Sequence, residues 1–123
     1  DPIEKVFALL GCYRRLIVDS GCDYGCPIGS LALELHEPDP AVRRRLADNF
    51  AGWTAAVRGC LDEARDRFPA DADMGAVAEF VLTVMEGAVM QARTYRDVGH
   101  FDRAVEQLRS YFRHMAPAES AGA

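Results

Sequence analysis

No stretch of this 123-residue chain alternates with period two, so nothing in it calls for a β-strand. A glycine-rich phosphate loop is missing, as are His-x-x-x-His and Glu-x-x-His pairs. Neither a nucleotide cradle nor a helical metal site is therefore written in the sequence. The three histidines, His36, His100 and His114, fall in different segments. His36 beside a helix end and His114 in a last turn read as surface residues favoured by the C-terminal helix dipole. Four cysteines, Cys12, Cys22, Cys26 and Cys60, are too few for a secreted disulfide scaffold. No signal peptide, Arg-rich transit segment or lipidation motif is present, which makes a cytoplasmic setting the expectation. Basic charge is also scarce. With 14 Lys+Arg against 19 Asp+Glu the net charge is −5, which opposes nucleic-acid binding by these residues. No catalytic residue, metal or cofactor is implied.

What the chain has is apolar surface in helical register. Half of its residues (50%) are hydrophobic, which excludes a disordered chain, and its length suits one domain with a modest core. Asp1-Pro2-Ile3-Glu4 reads as a helix start: a capping aspartate, proline at the first helical position and glutamate at the third. Ile3, Val6, Leu10, Tyr13 and Ile17 then recur at spacings of 3, 4, 3 and 4, with Leu9 and Leu16 widening the face. Gly21 is the expected terminator. Pro27 opens a short second helix with Ile28, Leu31, Ala32 and Leu35 inward, and it must end before Pro38.

Asp39-Pro40 repeats the start signal. The third helix is predicted over about residues 41–68, with Val42, Leu46, Phe50, Trp53, Val57, Leu61, Ala64 and Phe68 on one stripe. Its other face carries Arg44/Asp48, Arg58/Asp62 and Glu63/Arg67 at i, i+4. The run Arg43-Arg44-Arg45 is flanked by acids and reads as a solvated face. A last helix places Phe101, Val105, Leu108, Phe112 and Met115 on one side, and residues 117–123 form a flexible tail after a domain over residues 1–116. The fold class is all-α, with about five antiparallel helices.

The stretch 73–96, capped by Asp71 or Asp73, stands apart. Glu79 and Glu86 are its only charges between Met74 and Ala92, seven residues apart and nearly eclipsed on a helix. Arg93 continues that narrow polar stripe. The apolar arc covers roughly 180°, against the ~100° of a one-sided core helix. A membrane span would need ~20 apolar residues without acids, so no membrane is expected. The helix must bury two sides. The second is supplied either by the centre of a monomer or, more simply, by another subunit.

Two constellations could carry chemistry. Cys22-Asp23-Tyr24-Gly25-Cys26 pairs two thiols in a loop. Cys26 at a helix start would have a stabilised thiolate and a redox role with Cys22, or it is a small buried hydrophobe. Cys12 and Cys60 look simply buried. The inward stripes of the first, third and fourth helices converge on Tyr13, Ile17, Phe50, Trp53, Val57, Met85 and Val89, with Glu86 as a polar anchor. They read either as ordinary core or as the wall of a mostly apolar ligand pocket.

The segments GCPIGSLALEL (25–35), DPAVRRRLADNFAGWTAAV (39–57), AEFVLTVMEGAVMQAR (78–93) and FDRAVEQLRSYF (101–112) follow one another in family order and spacing. Together they resemble the C-terminal regulatory domain of TetR/AcrR-family transcriptional repressors, from Asp1 to about Met115. The resemblance implies an all-α domain that senses a small-molecule effector and homodimerises through its last two helices as a four-helix bundle. The interface would use Val77, Val81, Val84, Ala88, Phe101, Val105, Leu108 and Phe112. A helix-turn-helix domain ordinarily precedes this part and no such pattern is present here, so DNA would be contacted only through that missing domain. The alternatives are a dimerisation module without a ligand, and a cysteine-dependent redox sensor or small thiol enzyme.

Overall fold

Three of the four long helices begin on an aspartate, and the chain's start signals work as written. The structure is a computed structural model that describes residues 1–35 and 37–118. The Asp1 carboxylate accepts from the Ile3 and Glu4 amides at 2.8 and 3.4 Å and opens α1, Pro2–Asp19. Asp39 accepts from the Ala41 amide at 2.8 Å and opens α3, Pro40–Asp62, while Asp73 accepts from the Ala76 amide at 3.0 Å and opens α4, Met74–Tyr95. Between them lies the short α2, Pro27–Glu34, and α5, Gly99–Met115, closes the fold. No strand is found among the described residues. His36, and the tail beyond residue 118, lie outside the described residues.

α1 ends as its glycine predicts. Gly21 is left-handed (φ 63°), the Gly21 amide donates to the Val18 carbonyl at 3.1 Å and the Cys22 amide to the Ile17 carbonyl at 2.8 Å. These are the two bonds of a Schellman terminus. Cys22 is itself left-handed (φ 66°), and so is Arg96 (φ 53°) at the end of α4. The two positions meet: Arg96 donates to the Cys22 carbonyl at 2.9 Å and pairs with Asp23.

α4 is the central helix. Its Met74, Val77, Ala78, Val81, Met85, Ala88, Val89 and Ala92 are buried, and it packs on α5, α3 and α1. Among the described residues it is the helix long and apolar enough to cross a membrane; this packing uses part of its apolar surface and leaves Phe80 and Met90 exposed. Ile3, Val6, Phe7, Leu10 and Ile17 of α1, Val57 and Leu61 of α3, and Phe101, Leu108 and Phe112 of α5 complete the core. Phe112 sits edge-on to Phe7, Phe68 and Tyr111, with centroids 5.6–6.1 Å apart, a favoured aromatic geometry. Leu16, expected to widen the α1 face, is exposed instead.

Several expectations are corrected. α3 stops at Asp62, and the apolar positions Ala64 and Phe68 are carried inward by a 3-10 turn, Arg65–Arg67. Of the three surface pairs, Arg58–Asp62 forms, at 3.8 Å, whereas Glu63 is taken by Lys5 at 2.8 Å and Arg67 by Asp1 at 2.8 Å. The Arg67 guanidinium also donates to the Ala116 carbonyl at 3.1 Å, and its buried Nε has no partner among the described residues. Glu4 turns away from the cap to Arg109, at 2.6 Å. In α2 the buried residue is Gly29, while Leu31 and Leu33 are exposed. Cys12 is exposed, because it falls on the outer face of α1.

Candidate functional site

α2 leans on α4 through a glycine. A Cβ added to Gly29 would land on the Glu86 carboxylate, so the glycine leaves the space this side chain occupies where the two helices meet. Pro27 fixes the first turn of α2 and Cys26 precedes it without making a side-chain cap. On the far side of this contact α2, α3 and α4 enclose a half-open cavity of about 520 Å³. Gly25, Cys26, Gly29, Ser30, Ala32, Leu33 and Glu34 come from α2 and the loop before it, and Phe50 comes from α3. α4 contributes Glu86, Gly87, Val89, Met90, Arg93 and Thr94. The volume is that of a small-molecule site, and the wall is mostly apolar with a few polar groups, as such sites are.

The expected pocket residues divide into three groups. Phe50, Glu86 and Val89 line the cavity. Ile17, Val57 and Met85 are core residues outside its wall. Tyr13 and Trp53 stand beside it. The Trp53 indole N–H donates to the Tyr13 hydroxyl at 3.1 Å, and Tyr13 packs at 6.4 Å, centroid to centroid, against both Trp53 and Tyr24. Arg93, Met90, Leu33, Ser30 and Gly29 were not singled out as site residues from the sequence. Glu86 and Arg93 do share one polar stripe of an otherwise apolar helix, and that is the signal that carries both.

Burial pushes the Cys26 thiol up from its ordinary value; the Gly29 and Ile28 amides pull it down, and a hydrogen bond to Glu86 with its charge pushes it further up. Of the two readings of Cys26, this direction supports the small buried hydrophobe over the stabilised thiolate, since burial and the carboxylate outweigh the helix amides. Burial likewise raises Tyr13, against the Trp53 hydrogen bond, and raises Tyr24, with Glu86 adding to both. Cys22 and Cys26 are free thiols, both half-buried. Among the described residues no three His, Cys, Asp or Glu side chains converge in a cluster that could hold a metal ion.

A second concavity, about 310 Å³, runs between α4 and α5 along Phe80, Thr83, Val84, Gly87, Gln91, Ala104 and Gln107. Of the residues expected to meet a second subunit, Val84, Ala88 and Leu108 line this groove. Val77, Val81, Phe101 and Phe112 are buried inside the protomer, where α4 and α5 pack on each other and on α1. Val84 and Val105 are half-buried, and Val84 faces the groove. Phe80, 42% exposed and packed on Tyr111 at 5.3 Å, is the large apolar group on this outer surface.

A family model described as "Tetracyclin repressor-like, C-terminal domain" matches residues 2–108. Two curated relatives are uncharacterized HTH-type transcriptional regulators of Mycobacterium tuberculosis, from strains CDC 1551 / Oshkosh and ATCC 25618 / H37Rv. Each is 29% identical over 122 residues, which cover 96% of this chain and 62% of the relative. The chain thus spans less than two thirds of the length of these relatives. No solved structure gives a significant match.

Proposed function

The chain belongs to the tetracycline-repressor-like C-terminal domain family, and on that premise we propose that it is the effector-sensing and dimerisation domain of a TetR-like transcriptional repressor. The observation that carries this reading is the mostly apolar 520 Å³ cavity with Glu86 and Arg93 in its wall. Phe50, Leu33, Val89 and Met90 supply the apolar contacts for a small ligand, and Glu86 and Arg93 orient it. The domain acts without catalysis, in the cytoplasm, and reaches DNA through a helix-turn-helix domain of the parent protein.

Homodimerisation uses the outer face of α4 and α5, around Phe80, Thr83, Val84, Gly87, Ala104 and Tyr111, to build a four-helix bundle with the symmetry mates. Ligand held between α2 and α4 releases the parent protein from DNA only if it binds the two arrangements with different affinity. Native mass spectrometry of the purified chain tests both halves. A dimer carrying a displaceable small molecule supports the reading, and a monomer refutes its dimerisation half.

A dimerisation module without a ligand is the second reading, favoured by the exposed Phe80 beside the α4–α5 groove. A dimer that is never stabilised against heat by any member of a broad small-molecule panel would favour it.

A further inference from the structure

Charge narrows what the cavity takes. Among the described residues its wall carries two carboxylates, Glu34 and Glu86, against one guanidinium, Arg93. Glu86 is the inner one: it is half-buried, while Glu34 and Arg93 are exposed. No Lys, Arg or His among the described residues lies within ion-pair distance of it. A carboxylate drawn partly out of water without a counter-ion is unfavourable.

What faces Glu86 does not neutralise it. Gly29 leaves room for the carboxylate, and the Cys26 thiol beside it, held toward its neutral form chiefly by burial, brings no positive charge. Arg93 follows two turns later on α4, about 10 Å along the axis, beside Gly25 and Ser30. No ion pair joins it to Glu86 among the described residues, and its guanidinium is exposed to water.

We infer that the occupant is an apolar organic cation, a lipophilic amine or ammonium, whose charged end sits against Glu86 while its hydrocarbon body lies on Phe50, Leu33, Val89 and Met90. This rests on the sensor reading above and adds the ligand's charge to it. A neutral guest of the same shape leaves Glu86 uncompensated. An anionic guest meets repulsion from both Glu86 and Glu34. An ammonium–carboxylate contact in a partly dewetted site is charge-assisted and correspondingly strong.

Three probes with one tail separate these cases: n-octylammonium, 1-octanol and octanoate, each titrated calorimetrically into the full chain. Octylammonium is expected to bind at least ~10-fold more tightly than octanol, with octanoate weakest. In Glu86→Gln the ammonium-to-alcohol ratio should fall to about one while the octanol affinity is retained. Equal affinity of ammonium and alcohol for the native protein, or octanoate as the tightest ligand, overturns the inference and leaves the sensor reading standing. That comparison needs no variant, so a misfolded Glu86→Gln does not blunt it. An ammonium preference that survives in a folded Glu86→Gln overturns the assignment to Glu86. Failure of all three probes to bind overturns the inference and removes the support that the cavity gives to the sensor reading.

Discussion

The carboxylate of Glu86 occupies the space that a Cβ on Gly29 would fill. Gly29→Ala forces the carboxylate aside, and because it is the end of a rotatable side chain the fold can yield there. A helical Gly→Ala exchange is itself worth up to about 1 kcal/mol in favour of the helix. The expected outcome is a melting free energy within about 1 kcal/mol of the native protein, together with loss of the preference for octylammonium over octanol. Thermal unfolding and calorimetry on the same sample check both.

The hydrogen bond from Trp53 to Tyr13 links α3 to α1 beside the cavity. Tyr13→Phe keeps the ring and removes the acceptor, at an expected cost of about 0.5–1.5 kcal/mol. Trp53 is the sole tryptophan, so urea unfolding followed by its emission reports the change directly.

Cys26, Tyr13 and Tyr24 all have raised pKa values in the fold. Each is an acid whose neutral form the folded state prefers. The stability they contribute is therefore fully present below the unfolded values, about 8.5 for a thiol and 10 for a phenol, and is lost as pH rises through the folded ones. Denaturant midpoints should be flat between pH 6 and 8, as orders of magnitude from these reference values, and fall above about pH 9. In alkylation at neutral pH the exposed Cys12 should label first and Cys26 slowly. Rapid labelling of Cys26 would revive a redox role.

The outer α4–α5 face and the core beneath it can be told apart by mutation. Ala104→Glu puts a charge in the groove and should convert a sedimenting species of about twice 13.5 kDa into one of 13.5 kDa. Met85→Ala, at a position 1% exposed, should instead lower the unfolding free energy by about 2–5 kcal/mol and leave the sedimenting mass unchanged.

Helix starts are legible in the chain because Asp1, Asp39 and Asp73 act locally: the cap and the amides it satisfies lie within three residues. The end of α3 is less so. Leu61, Ala64 and Phe68 keep helical spacing, but a 3-10 turn satisfies the same spacing, and no glycine or proline intervenes before Pro69. Periodicity marks α4 as apolar on two sides without saying which neighbour covers which. Val77 and Val81 turn inward and the mixed set Phe80, Thr83, Gly87 and Gln91 turns outward. In the same way one stripe contains both cavity wall and solid core, Val89 beside Met85. Glu86 is visible as a lone acid on an apolar helix. Gly29 is silent, since nothing about a glycine announces what another helix brings up against it.

Arg67 ties Asp1 to Ala116, partners 66 and 49 residues away along the chain. Such a tie is made only after two long loops have closed, and closing them carries an entropy that grows with their length. We therefore expect it to form in the late descent into the native basin and not in the folding nucleus. In stopped-flow experiments Arg67→Ala should leave the refolding limb in place and raise the unfolding limb, about tenfold for each 1.4 kcal/mol lost. One side chain at the join of first helix, turn and last helix then governs how long the domain stays folded, and hardly at all how quickly it gets there.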